Sequence, residues 1–303
     1  MSYEGNSMEI LWLGESHCHN PSIVGGKAAN LSLLAESHRV PPGFALTAEA
    51  FDQAVNAGFS QDSATGQGQL IPEPLYDQLV SAYRSLCELS KTTELSVAVR
   101  SSALDEDGSA ASFAGQHDTF LNIVGEQAIA DAIARCWRSV YNPHALEYRR
   151  QQGLPVDDLK IAVLVQQLVH SDVSAVVFGA NPLTGNRGEV LINVSWGLGE
   201  SIVGGTVTPD TYVVHKEDMS IAATNIGEKT RMTVHIPGGT QEVDVPRMMR
   251  KQPSVNSEQV VEMAQLAVDL EKKMGWPVDL ECAYYQGQLY LLQCRPITTL
   301  PSP

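Results

Sequence analysis

Residues 277–297, PVDLECAYYQGQLYLLQCRPI, alternate apolar and polar side chains on either side of a short Gln-Gly-Gln segment. That pattern describes two antiparallel strands joined by a tight turn. With residues 286–288 as a three-residue turn, positions whose numbers sum to 574 oppose each other, so Glu281 faces Gln293 and Asp279 faces Arg295. All four then share one face, while Leu280, Cys282, Leu292 and Cys294 form an apolar face that packs on a core. Opposed β-carbons lie roughly 5 Å apart, close enough for one ion or phosphate to touch several of the polar side chains. A carboxylate beside an amide oxygen suits Mg²⁺, a hard cation that takes oxygen ligands and leaves positions open for phosphates. An adjacent arginine can hold a further phosphate oxygen. The same alternation also describes a hairpin whose polar side simply faces water, so the reading needs support from elsewhere in the chain.

The remaining sequence places this hairpin in a mixed α+β fold. Helical periodicity covers residues 28–37, 73–89, 125–152 and 257–274, the last preceded by Asn256 and closed by basic residues before Gly275. Strand patterns cover 96–100, 161–169, 175–180, 189–194 and 211–214. Polar, Gly-rich residues 58–69 and Pro-rich residues 236–254 read as exposed connections. A length of 303 residues fits two lobes, drawn here as 1–165 and 166–298 with a short tail or linker at 299–303.

Charge and cysteine usage narrow the function classes. A net charge of −15 repels nucleic-acid phosphate over most of the surface, so any phosphate binding must be local. The five cysteines are scattered and contain no C-x-x-C pair, which argues against a disulfide framework or a zinc knuckle. No run approaches the roughly 20 apolar residues of a membrane span, and the acidic N-terminal stretch is unlike a secretory signal. A cytoplasmic protein with neither membrane nor nucleic-acid partners is expected.

Three further stretches favour anions. In VGGKAANLSLL, Gly25 and Gly26 precede a helix with Lys27 in its first turn, where free amides and the helix dipole attract negative charge. It is not a Walker A loop, which would require glycine at Pro21 and serine or threonine at Ala28. In VAVRSSALDEDGSAASFAGQHDTF, a strand delivers Arg100 to its end, and the small residues that follow can fold over a polyphosphate. Gly115 there permits close backbone approach, and Ser112 or Thr119 offers a hydroxyl. In IAVLVQQLVH, an apolar strand broken by Gln166 and Gln167 can present backbone groups to an adenine edge, or can simply be a core strand. Residues 195–214 fail the dinucleotide fingerprint, because G-x-G-x-x-G from Gly197 needs glycine at Ile202. His17 and His19, and Asp105 to Asp107, read as surface residues.

Taken in order, VGGKAANL, VPPGFALT, VAVRSSA, ASFAGQHDTFLN, CWRSVYNPHALEYR, VLVQQLV, NPLTGNRG, SWGLGESIVGGTVTPD and DLECAYYQGQLYLLQCRPIT resemble the ATP-binding domain, an ATP-grasp fold, of the phosphoenolpyruvate synthase, pyruvate phosphate dikinase and rifampin phosphotransferase family. The resemblance runs from about Val24 to Thr298. It implies that Lys27, Arg100 and Arg295 grip ATP phosphates and act in catalysis, and that Gly115 and Thr119 belong to a loop covering them. It further implies that Gln166 and the Leu168 backbone meet adenine at a hinge between lobes, and that Glu281 and Gln293 bind Mg²⁺. Leu168 stands where such enzymes often have methionine, and Gly179 where threonine is common; neither change threatens nucleotide binding.

The resemblance also implies transfer of the β-phosphoryl group of ATP to a histidine in a T-S-H motif on a mobile domain, with release of AMP and phosphate. None of the eight histidines here has that context, and little chain follows Thr298. The expected partner is therefore a phosphohistidine domain in trans or on a portion of the protein outside this chain. Two alternatives are an ATP-binding regulatory module without catalysis, and an ATP-grasp ligase that forms an acyl phosphate and ADP.

Overall fold

The computed structural model describes residues 9–60, 71–104, 119–151, 156, 159–298 and 300. The chain divides into two compact units, one comprising residues 1–37 and 41–168, the other 38–40 and 169–303. Both units combine antiparallel sheets with helices, as an α+β chain should.

In the first unit five strands, β1 (Ile10–Trp12), β2 (Gly43–Leu46), β3 (Val97–Ala103), β4 (Thr119–Ile123) and β5 (Ile161–Gln167), form a sheet in the order β1-β2-β5-β3-β4. Val97, Val99, Val163 and Val165 point to one side, as the strand period of two requires. There they meet α2 (Ala48–Asn56), α3 (Glu73–Leu89) and α4 (Glu126–Ser139) in a core centred on Trp137, whose ring lies 5.9 Å from Phe51 and 5.5 Å from Phe59. The alternate positions on β3, Ala98, Arg100 and Ser102, therefore face away from that core. Helix α1 (Pro21–Ala35) packs against β3 and β5.

Helix α1 begins seven residues earlier than its periodicity indicates, because a first turn capped by Asn20 precedes a kink at Gly25. The expected helix over 125–152 is two helices, α4 and α5 (Pro143–Gln151). Proline disfavours helical geometry in the residue before it, and here it occupies the first position of the second helix.

In the second unit the strands are β6 (Val173–Phe178), β7 (Glu189–Trp196), β8 (Asp210–His215), β9 (Ile221–Asn225), β12 (Val278–Tyr285) and β13 (Gln288–Pro296), ordered β13-β12-β6-β7-β8-β9. Helix α7 (Ser257–Met274) covers one face with Val260, Met263, Ala264 and Ala267, against the row Leu280, Val177, Ile192 and Tyr212. Each Val, Leu, Ile or Met side chain taken out of water there contributes about 1.5–3 kcal/mol, so this face anchors the sheet. A capping box at Asn256 and Gln259 starts α7, and Gly275 in the left-handed region ends it. The short helix α6 (Glu200–Val203) contacts β6 and β7.

Residues 236–254, expected as a connection, instead contain β11 (Gly239–Asp244), paired with β10 (Arg231–Ile236). The turn Pro237-Gly238 and the mostly polar β11 give the segment a loop-like composition, although β10 alternates polar and apolar residues. A buried ion pair supports this region: Lys229 donates to Asp210 with both side chains fully buried, and Asp210 also accepts from Gly227 N at 3.0 Å and from Ser254 N and Oγ at 2.7 and 2.8 Å.

Candidate functional site

In the first unit the candidate residues gather where α1 meets β3. Gly25 adopts φ +74°, and a β-carbon there would lie 2.2 Å from the Ser102 carbonyl oxygen, so only glycine admits this approach. The kink frees helix amides, and one of them, Ala28 N, donates to Ser102 Oγ at 3.2 Å. Lys27 Nζ donates to the Ser101 carbonyl at 3.2 Å, which places the ammonium beside the strand that carries Arg100. Arg100 is 9% exposed and pairs in register with Thr119 on β4, so the guanidinium and the hydroxyl leave the sheet on the same face.

Gln166 stands opposite Ala98, on the same face of the sheet and diagonal to Arg100. It is 2% exposed, and its Nε2 donates to the Pro41 carbonyl at 3.1 Å. Leu168 closes the first unit, and its amide donates to the Ser96 carbonyl at 2.9 Å. Gln166 and the Leu168 backbone, which the resemblance sets against adenine, are thus engaged with backbone carbonyls. Lys27, Arg100, Thr119, Gln166 and Leu168 lie in this unit, while Gly115 lies outside the described residues.

In the second unit the hairpin register is Asp279 with Arg295 and Glu281 with Gln293, as expected. The route to it differs. The turn has two residues, Gln286 and Gly287, both at positive φ (+50° and +73°), and Tyr285 pairs with Gln288. A bulge between Glu281 and Cys282 then inserts Leu292, so that Leu291 rather than Leu292 opposes Cys282 and is the more buried of the two.

Arg295 Nε donates to Asp279 Oδ2 at 2.9 Å. Burial raises the Asp279 carboxyl above the ordinary carboxylate range, against the opposing effect of Arg295 beside it. Asp279, Glu281 and Arg295 border a cavity of about 230 Å³, together with Val176, Phe178, Asn193, Ile202 and Val203. Val176 and Phe178 form a floor between β12 and β7, and α6 contributes Ile202 and Val203. Gln293 is 5% exposed beside Glu281.

The donor chemistry fits a hard cation held with few protein ligands. Glu281 and Gln293, a carboxylate and a carboxamide, oppose each other in register, and Asp279 accepts from Arg295. No group of three or more histidine, cysteine, aspartate or glutamate side chains able to hold a metal occurs among the described residues. Such a pair would suit Mg²⁺, which is usually bound through one or two carboxylates together with substrate phosphates.

Sequence reasoning missed Asn193, Ile202 and Val203. Asparagine is a poor strand former, and its place in the middle of the apolar run VLINVSW was the available signal. The apolar pair in ESIVGG was obscured by the glycine pattern, which directed attention to a dinucleotide fingerprint instead.

Residues 67–302 match the family model described as pyruvate phosphate dikinase, AMP/ATP-binding domain. The chain belongs to this family. A probable phosphoenolpyruvate synthase of Methanocaldococcus jannaschii is 37% identical over 98% of this chain and 27% of its own length. A rifampicin phosphotransferase of Streptomyces sviceus is 35% identical over 96% of this chain and 36% of its own. The AMP/ATP-binding chain thus spans about a quarter to a third of the length of these two relatives. Among solved structures, Cdc123 from Schizosaccharomyces pombe covers 89% of this chain and 82% of its own at 11% identity, with a TM-score of 0.41, too slight a likeness to bear on function. Among the described residues, no helix is long and apolar enough to cross a membrane.

Proposed function

We propose that this chain is the nucleotide-binding half of a dikinase-type phosphotransferase, acting in the cytoplasm, with an ATP-grasp fold whose lobes, residues 1–165 and 166–298, both contribute to one Mg-ATP site. The observation that carries the proposal is the in-register pairing of Glu281 with Gln293 and Asp279 with Arg295 along one polar face, in a member of an AMP/ATP-binding family.

Lys27, Arg100 and Arg295 bind the phosphates and offset the charge that spreads over the transferring phosphoryl group. Gly115 and Thr119 belong to the segment that covers the phosphates. Gln166 and Leu168 shape the adenine end, with Gln166 acting through its hold on Pro41. Glu281 and Gln293 would hold Mg²⁺, which would supply positive charge to offset that of the phosphates. This transfer requires no side-chain nucleophile from the chain itself. The β-phosphoryl group passes to a histidine on another domain as AMP departs, and water takes up the γ-phosphoryl group, which leaves as inorganic phosphate.

Product analysis with Mg-ATP, with and without a histidine-bearing partner domain, tests this reading. AMP that appears only with the partner supports it. ADP would instead indicate a carboxylate-activating ligase, and binding with neither product a regulatory module. Arg100→Ala and Glu281→Ala should each abolish AMP formation while the far-ultraviolet circular dichroism stays unchanged.

A further inference from the structure

Asn193 occupies the centre of β7 on the face opposite α7, in a row that runs Gln293, Glu281, Val176, Asn193, Thr211 across five adjacent strands. Strands repeat at about 4.8 Å, so Asn193 and Glu281 stand roughly 10 Å apart with only the short side chain of Val176 between them. Both residues border the same 230 Å³ cavity.

The orientation of the carboxamide is set from behind. Thr211 Oγ1 donates to Asn193 Oδ1 at 2.9 Å, which turns the oxygen toward β8. The amide nitrogen, on the other arm of the planar carboxamide, diverges from that oxygen and is the atom Thr211 leaves available to the cavity that Asn193 borders. No protein acceptor is assigned to this nitrogen among the described residues, and the side chain is only partly buried. An amide nitrogen cannot ligate a hard cation, but it can donate to an anion. A neutral donor on this wall also suits a cavity whose other wall already carries Asp279 and Glu281, since a third carboxylate would repel an incoming phosphate.

We infer that Asn193 is a ligand-contacting residue whose Nδ2 donates a hydrogen bond to a polyphosphate oxygen on the side of the cavity opposite Glu281, and that Thr211 is the residue that positions it. The inference rests on the Mg-ATP reading above and adds a residue and a wall to that site.

Titration calorimetry with Mg-ATP and with Mg-tripolyphosphate, on the wild type, Asn193→Ala, Asn193→Asp, Thr211→Val and Glu281→Ala, tests it. Asn193→Ala should weaken both ligands about tenfold, as loss of a hydrogen bond to a charged group does. Asn193→Asp, nearly the same shape, should weaken them further because it sets a carboxylate against the phosphate. Thr211→Val should give an intermediate loss, and thermal unfolding of Asn193→Asp should match the wild type. If both Asn193 variants bind like the wild type while Glu281→Ala does not, the inference fails and the parent reading stands. A loss with Mg-ATP but not with Mg-tripolyphosphate, or equal losses in the two variants that track a lowered unfolding temperature, also overturns it. A wild type that binds neither ligand removes the parent reading and this one together.

Discussion

Asp279 faces Arg295 across the β12–β13 ladder, and its carboxylate accepts a 2.9 Å hydrogen bond from the guanidinium Nε. The carboxylate is more deeply buried than its partner, at 10% against 29% side-chain exposure. Burial therefore governs Asp279, whose ionised form depends on Arg295 for support. The pair keeps one edge of the guanidinium fixed against the protein and so limits the orientations of the remainder.

Replacement of Arg295 by alanine should lower Mg-ATP affinity by about 10- to 100-fold, corresponding to the roughly 1.5–3 kcal/mol of a hydrogen bond to a charged group. Lysine should recover less than half of that loss in free energy, because it cannot reproduce the planar fork. Calorimetry measures both; an alanine variant that binds like the wild type would remove Arg295 from the site.

Gly25→Ala should destabilise the first unit by at least about 2 kcal/mol, since it combines a left-handed backbone with a β-carbon set against the Ser102 carbonyl. Gly58→Ala provides a control, because it also has positive φ, at +103°, but meets nothing within 4 Å. Urea midpoints that shift equally in the two variants would show that backbone strain, rather than the close approach, sets the cost.

Asp210→Asn should cost about 3–5 kcal/mol, because it leaves the fully buried Lys229 ammonium without its counter-charge. The double variant Asp210→Asn with Lys229→Met should regain most of that stability. Thermal denaturation that ranks the double variant at or below the single one would contradict the assignment of the loss to an uncompensated charge.

His170 packs edge-to-face on His235, with ring centroids 4.4 Å apart, and burial followed by the repulsion of His235 lowers its basicity below the ordinary value of 6.5. As pH falls through 6.5 the unfolded chain takes up a proton that folded His170 resists, so stability declines toward acid. His170→Phe keeps the ring contact and removes the proton, and should lose less stability than the wild type between pH 7.5 and 5.5. Equal pH dependence of the urea midpoints in the two proteins would exclude this histidine as the cause.

The legibility of the fold followed side-chain period. Helices α3 and α7 have the bounds that their periodicity indicates, because their apolar stripes and end signals agree. Hairpin β10–β11 was illegible because β11 carries Gly239, Thr240, Gln241, Glu242 and Asp244 around Val243, so the alternation of β10 has no matching pattern in its partner. The register of Glu281 with Gln293 was legible through two compensating departures: the turn is one residue shorter than expected, and the bulge restores that residue. Tertiary commitments such as Gln166 to Pro41 and Thr211 to Asn193 link residues distant in sequence, and no local pattern announces them.

The insertion of Leu292 splits the last hairpin into two independently timed halves. The tip at Gln286 and Gly287 lies on the opposite side of that dislocation from Glu281 and Gln293, so a label placed there stands apart from the polar face. The tip is thus a natural mounting point for a fluorophore or spin probe that reports on the polar face without retuning it.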